Sequence, residues 1–400
     1  MRVCILTTSF PLYEGIAVGI HVIEQARHLV KLGQDVTVLA PHHQGAPAAE
    51  TIDGIRVRRF RYMWPAPAQT LCYGAGIPTN LRRSWWARLQ LPFLVAAFFF
   101  AGIRHARRCD VIQANWSIAG FAGIFLGKLL RKPLVLVMYG AEIFVLGRNP
   151  LLKFILRHAD HVIAISQYTL DKTLAVHQPR AYTLIPPGLD IHRFHPAADV
   201  SAIRAQLAAR GIDFSRPLIM ALGKFIERKG FAHLITAIAT LQKQHPAQLM
   251  IGGRGPLKDT LRQQAADLGI ADRVFFLDYI PDADLPAYYT LADIFVSPSV
   301  IDSQGDTEGL GMVLLEANAC ETPCVASAIG GIVDVIVDGE NGYLARPADP
   351  ADLATQIRRL LDDPRQRREM GRKGRQRVIT HFAWEVKARQ ILDVYQEVIA

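Results

Sequence analysis

The chain alternates short runs that are apolar throughout with longer stretches in which apolar residues recur every three or four positions. Val3-Cys4-Ile5-Leu6 is bounded by polar residues, the pattern of a strand buried on both faces. From His21 to Leu32 the pattern becomes helical, with Ile20, Ile23, Ala26, Leu29 and Val30 on one side and Gly33 as the stop. Val36 to Ala40 is a second strand. Strand, helix, strand in that order predicts a parallel pair with a right-handed crossover. The alternation resumes with strands at Val111–Gln113, Leu134–Val137, Val162–Ile165 and Tyr182–Ile185, and a helix over Ala119–Leu130.

Pro186-Pro187-Gly188 and Pro196 bracket a stiff, irregular segment, after which the pattern begins again. It predicts strands at Leu218–Leu222, Gln248–Ile251 and Val274–Leu277, with helices over Ala232–Gln242 and Leu257–Leu268. Trp384 to Ile399 reads as an amphipathic helix. Four hundred residues exceed one ordinary core. The expectation is therefore an α/β protein of two Rossmann-like parallel-sheet domains, residues 1–190 and 191–383, with the helix at 384–400 packing back on the first. Two such domains facing each other leave a cleft, where strand C-termini and helix N-termini bind phosphates.

Composition narrows the partners. Lys and Arg number 45 against 36 Asp and Glu, a net charge of +9. That favours phosphate-bearing small molecules, anionic lipid or nucleic acid. No zinc-finger spacing, basic heptad region or RNP-like stretch is present, so nucleic acid is not expected. The five cysteines are scattered and read as reduced thiols of a cytoplasmic protein. The N-terminal apolar run is too short for a signal peptide, and Leu91–Ile103 falls short of the roughly 20 residues that span a bilayer. Leu91–Ile103 reads first as a long core helix with a solvated basic edge. The Trp-Arg segment before it (Arg82, Arg83, Trp85, Trp86, Arg88) fits that reading or a peripheral contact with anionic membrane over residues 82–108.

The sharpest chemical feature is Asp306-Thr307-Glu308-Gly309-Leu310-Gly311-Met312-Val313-Leu314-Leu315-Glu316-Ala317. Glu308 and Glu316 stand eight apart, and a glycine-flanked turn between them opens an apolar helix. Amides from Gly309 to Gly311 can donate to hydroxyls or phosphate oxygens. A carboxylate at Glu316, among Met312, Val313, Leu315 and Ala319, is costly unless paired, unless it sits on a surface flank. Gly223-Lys224-Phe225-Ile226-Glu227-Arg228-Lys229-Gly230 places two lysines five apart in a loop after a strand. Gly15-Ile16-Ala17-Val18-Gly19 is a glycine-bearing loop without G-x-G-x-x-G, which argues against a nicotinamide enzyme.

This stretch resembles the E-x7-E signature of the GT4-like, group 1 retaining glycosyltransferases. Gly223–Gly230 resembles their diphosphate-binding loop, Gly252-Gly253-Arg254-Gly255-Pro256-Leu257 the glycine-rich turn that follows, and Pro187-Gly188-Leu189-Asp190 with Phe194 and Pro196 their interdomain segment. Gly330-Gly331 and Gly339–Leu344 resemble their closing loop. The resemblance covers nearly the whole chain and implies the two-domain GT-B fold. It implies transfer of a sugar from a nucleotide diphosphate donor to a saccharide or lipid-linked acceptor, with retained anomeric configuration. By internal return or a covalent intermediate is left open, since no nucleophile stands out.

The resemblance also implies roles. Lys224 and Lys229 would grip the diphosphate as negative charge builds on it, and with Glu308 they form the catalytic set. Lysine at 224 replaces the usual arginine and loses the bidentate fork. Glu308 would contact donor-sugar hydroxyls and Glu316 the ribose, with Gly223, Gly309, Leu310 and Gly311 around the donor. Gly15 and Gly19 would approach the donor phosphates. Tyr139 stands where the family commonly has histidine, in Met138-Tyr139-Gly140-Ala141-Glu142, and with Glu142 is placed on the acceptor side. No metal and no cofactor are expected. The alternatives are a silent sugar-nucleotide-binding subunit and a GT-B-type epimerase. The expected location is cytoplasmic, peripheral on the inner face of the membrane.

Overall fold

A computed structural model describes residues 1–11, 19–73, 76–140, 143, 150–242 and 245–400. The chain divides into two compact units: unit 1 is Met1–Gly188 with Trp384–Ala400, and unit 2 is Leu189–Ala383.

Unit 1 carries strands β1 (Arg2–Leu6), β2 (Asp35–Pro41), β3 (Ala49–Ile52), β4 (Ile55–Phe60), β5 (Val111–Asn115), β6 (Leu134–Met138), β7 (His161–Ala164) and β8 (Tyr182–Leu184). They form one sheet in the order β3-β4-β2-β1-β5-β6-β7-β8. Every pairing is parallel except β3 with β4. The continuously apolar runs are the central strands, covered on both faces as helical crossovers require. The helix Trp384–Ile399 belongs to this unit: Tyr395 and Ile391 join the core beneath β1, and the Tyr395 hydroxyl donates to the Gln113 amide oxygen. Gln113 also accepts from Gln25 at 2.7 Å and donates to Asn115 at 2.9 Å, which ties the helix, β5 and the helix Ile20–Lys31 together through buried polar groups.

Unit 2 carries β9 (Leu218–Leu222), β10 (Gln248–Gly252), β11 (Val274–Asp278), β12 (Ile294–Ser297), β13 (Cys324–Ser327) and β14 (Gly342–Ala345). Their order is β11-β10-β9-β12-β13-β14, all parallel. Two apolar clusters sandwich this sheet. Chain order reverses at β1/β5 in unit 1 and at β9/β12 in unit 2, and open α/β sheets bind ligands beyond the strand C-termini at such switch points.

One sequence expectation is corrected. The apolar run Leu91–Ile103 is part of a longer helix, Trp85–Ala106, whose 22 residues are long and apolar enough to cross a membrane. Nor is it a core helix: only 28% of its apolar stretch is buried. Ala87, Gln90, Leu94, Phe98, Gly102 and Ala106 face the sheet, while Trp85, Leu89, Phe93 and Phe100 are exposed. Apolar residues all round the helix hid which side was covered. All five cysteines are free.

Candidate active site

In unit 2 three loops converge at the β9/β12 switch point. The first leaves β9 as Gly223–Gly230 and includes a single helical turn, Glu227–Lys229. Gly230 has φ +64°, and a β-carbon there would stand 1.8 Å from the Pro298 carbonyl oxygen, so the loop lies directly on the segment after β12. That second segment, Val300 to Gly311, is stitched to the first at several points. The Val300 amide donates to Arg228 O at 2.9 Å, and Arg228 Nη1 donates to Thr307 O at 2.9 Å. Ser303 donates through its amide and its hydroxyl to the Glu227 carboxylate. The third loop, Ile329–Gly331, follows β13, and the Gly331 amide donates to Glu308 O at 3.0 Å.

Lys229 and Glu308 meet at the centre. Lys229 Nζ donates to Glu308 Oε2 at 2.5 Å, and each side chain is only 14% exposed. Burial pushes the Glu308 carboxyl up, but the charges of Lys229 and Arg228 and the lysine hydrogen bond outweigh it, leaving the group below its usual range. Glu308 is therefore ionised near neutral pH, a strong acceptor beside a cation. Lys224, five residues earlier, is exposed.

Glu308 precedes the helix Met312–Ala319, capped by Gly311 at φ +91°. Glu316, two turns in, is not a surface flank residue: it accepts from the buried Tyr289 hydroxyl at 2.7 Å. Burial raises its carboxyl, and the tyrosine hydrogen bond offsets only part of that. The glycine-rich turn after β10 braces the first loop. A β-carbon on Gly253 would stand 1.8 Å from Gly223 O, and the Phe225 amide donates to Arg254 O at 2.9 Å.

Sequence spacing assigned no role to four of these residues. Arg228 holds the Glu308 loop by its backbone, and its buried Nε has no partner. Tyr289 lies 27 residues before Glu316 with no pattern linking them. Ser303 and Glu227 are equally unrelated in sequence. Among the described residues no group of three or more His, Cys, Asp or Glu is placed to hold a metal ion.

In unit 1 the β1/β5 switch point holds an aromatic cluster. Tyr139, after β6, stacks on Trp116 at 4.7 Å, and His21 lies 4.9 Å from the Tyr139 ring. Trp116 adopts φ +65°, a left-handed conformation unusual for a bulky residue. Gly19, at φ +75°, begins the helix Ile20–Lys31, where a β-carbon would meet Ser9 O at 2.7 Å. Gly15 and Glu142 lie outside the described residues.

His21 Nε2 is buried without a hydrogen-bond partner, and burial lowers its imidazole to about 4. The folded state thus binds this proton less readily than the unfolded chain. Between about pH 6.5 and 4 the unfolded state gains it first, so stability falls as pH falls through that window. We expect His21→Phe to flatten the acid limb of a stability-against-pH curve by up to about 3 kcal/mol. Urea melts at pH 7 and pH 4.5 check this; an unchanged difference between them would remove the assignment.

Residues 203–377 match the glycosyl transferases group 1 family and residues 18–193 match glycosyltransferase family 4. The chain is 33% identical over 400 residues, 98% of its length and 97% of the relative's, to the GDP-mannose-dependent alpha-(1-6)-phosphatidylinositol monomannoside mannosyltransferase of Mycobacterium tuberculosis. It belongs to the family 4, group 1 glycosyltransferases. A D-inositol 3-phosphate glycosyltransferase of Salinispora tropica is 29% identical, covering 96% of this chain and 81% of that one. Among solved structures, a sucrose-phosphate synthase of Thermosynechococcus elongatus matches at 25% identity and TM-score 0.77 over 99% of both chains. The Anabaena protein HepE with bound UDP shares the fold, at 20% identity and TM-score 0.76, covering 99% of this chain and 100% of that one. This family 4 member is thus a GT-B-fold retaining glycosyltransferase.

Proposed function

We propose that this glycosyltransferase takes a hexosyl group from a nucleoside diphosphate sugar, GDP-mannose being the first donor to test, and passes it to a saccharide carried on a lipid. The observation that carries the reading is the Lys229–Glu308 pair at the β9/β12 switch point, a cation and an ionised carboxylate held nearly dry by three interlocked loops. Lys229 and the exposed Lys224 meet the diphosphate, and their charge stabilises the leaving nucleotide as the glycosidic bond breaks. Glu308 accepts from donor-sugar hydroxyls and Glu316 from the ribose, exchanging its Tyr289 bond for shared use. Gly223, Gly309, Leu310 and Gly311 bring backbone close to the donor, and Gly15 and Gly19 belong to its phosphate contacts. Tyr139 and Glu142 belong to the acceptor side.

With two lysines on the diphosphate, departure needs no divalent metal in this scheme. GDP-mannose is supported by relatives that name it, 33% identical across nearly the whole chain. A lipid-linked acceptor is supported by the same relatives' phosphatidylinositol monomannoside, and five free thiols suit the cytoplasmic leaflet.

The test incubates the protein with GDP-, UDP- and ADP-sugars and follows nucleotide release with and without cell-envelope lipid extract. Release that depends on extract, greatest with GDP-mannose, is the expected result. Binding without release would leave a silent subunit, and interconversion of the sugar an epimerase; either overturns the proposal.

A further inference from the structure

Among the described residues, the outer face of the helix Trp85–Ala106 is an apolar ridge that nothing covers. Trp85, Leu89, Phe93 and Phe100 fall on one stripe, and they are 70%, 52%, 56% and 69% exposed. The next helix, Trp116–Leu130, packs against this one where Gly102 meets the Leu126 side chain, and it adds exposed Phe125 and Leu129. Monomeric proteins rarely expose contiguous apolar surface of this kind without a use for it.

Charge frames the ridge. Arg82, Arg83 and Arg88 lie at its N-terminal end and Arg104, Arg107 and Arg108 at its C-terminal end, all exposed. Among the described residues Arg83, Arg104, Arg107 and Arg108 have no ion-pair partner. From Gly54 to Cys109 the sequence holds ten arginines and no Asp or Glu. Unit 1 carries 23 Lys and Arg against 12 Asp and Glu, whereas unit 2 carries 22 against 24. The chain's positive excess therefore resides in the unit that bears the ridge.

We infer that this face docks on an anionic bilayer, the helix lying flat with its aromatic stripe in the headgroup–acyl boundary and its arginines on lipid phosphates. A basic rim around an apolar, tryptophan-bearing stripe is the surface such an interface selects. Spanning is incompatible with the opposite face. Gln90 is buried there, accepts from the Thr70 and Leu71 amides at 2.9 and 3.1 Å and donates to Ala68 O at 3.0 Å, which ties the helix to its unit. Charge complementarity selects an anionic membrane over a second copy, since two such arginine rims would repel.

The inference deepens the lipid-acceptor reading, yet vesicle binding requires neither donor nor acceptor. Its failure leaves the transfer assay free to decide that reading. The experiment is flotation of the full chain with vesicles of phosphatidylcholine alone or mixed equally with phosphatidylglycerol. Binding to the anionic vesicles should exceed binding to the neutral ones at least about tenfold and fall with salt. Phe93→Glu with Phe100→Glu, and separately Arg83→Ser with Arg107→Ser, should each weaken it about tenfold or more. Leu268→Glu, at an exposed apolar position of unit 2, should leave it unchanged. These positions are exposed, so circular dichroism should match wild type. Equal binding to both vesicle types, indifference to the Phe pair, or adhesion that survives salt and alkaline wash would each overturn the inference. So would a concentration-dependent dimer, in the absence of lipid, that the Phe pair abolishes.

Discussion

Lys229→Met is expected to lower kcat/KM at least about a hundredfold and to destabilise the fold by about 3 kcal/mol. The two losses have different origins. Turnover falls because a cation facing the departing diphosphate is gone. Stability falls because Glu308, 14% exposed, keeps its carboxylate in a dry site whose other cation, Arg228, is committed by Nη1 to Thr307 O. Folding currently depresses the Glu308 carboxyl. A depressed acid adds stability above its unfolded value, near 4.3, and loses it as pH falls through the folded value. The gap between wild type and Lys229→Met should therefore be widest at neutral pH and shrink below about pH 4. Lys229→Met with Glu308→Gln removes both charges and should regain stability to within about 1 kcal/mol while remaining inactive. Urea melts alongside initial rates separate the two effects; a single variant with wild-type turnover would end the catalytic assignment.

Gly253→Ala, which removes no charge, should be nearly as damaging. The residue sits at φ +134°, which only glycine adopts readily, and a methyl group would stand 1.8 Å from Gly223 O. Backbone must move, and the backbone in question begins the loop that aims Lys229. Strain and overpacking together should cost about 3 kcal/mol or more. Nucleotide affinity should drop at least about tenfold, because the lysine loses its fixed position. Gly269→Ala is the comparison: its φ is also positive, at +68°, but nothing lies within 4 Å of the added carbon. It should melt closer to wild type and bind nucleotide normally. Thermal melts and nucleotide titrations check both variants.

Much of this architecture was legible because parallel strands buried on both faces announce themselves as short apolar runs. The runs at Val3, Val36, Leu134 and Leu218 became central strands, and Trp384–Ile399 is the helix its periodicity described. The hairpin β3–β4 was not, since Glu50, Arg56, Arg58 and Arg59 leave these short strands at the sheet edge without a continuous apolar run. The helix Trp85–Ala106 shows a second limit. Phe98 is fully buried and Phe100 is 69% exposed, yet both belong to one run of phenylalanines. Periodicity finds a face only where the other face is polar.

The site divides in the same way. Glu308 and Lys229 were marked by glycines that permit tight loops, and Gly230 and Gly331 do carry the close approaches. That the two side chains pair, 79 positions apart, follows from sheet order and not from spacing. The Tyr289 hydroxyl on Glu316 and the Arg228 grip on Thr307 are likewise contacts of the folded chain, with no local signature.

Calorimetric titration of GDP and UDP into the wild-type protein and into the Lys229→Met, Glu308→Gln double variant bears most directly on the proposed site. Saturable binding of one nucleotide to the wild type, weakened at least about tenfold (about 1.4 kcal/mol) in a double variant that still melts cooperatively, is the predicted result. Equal affinity in the two proteins would show that the diphosphate is held elsewhere and would contradict the assignment of these residues.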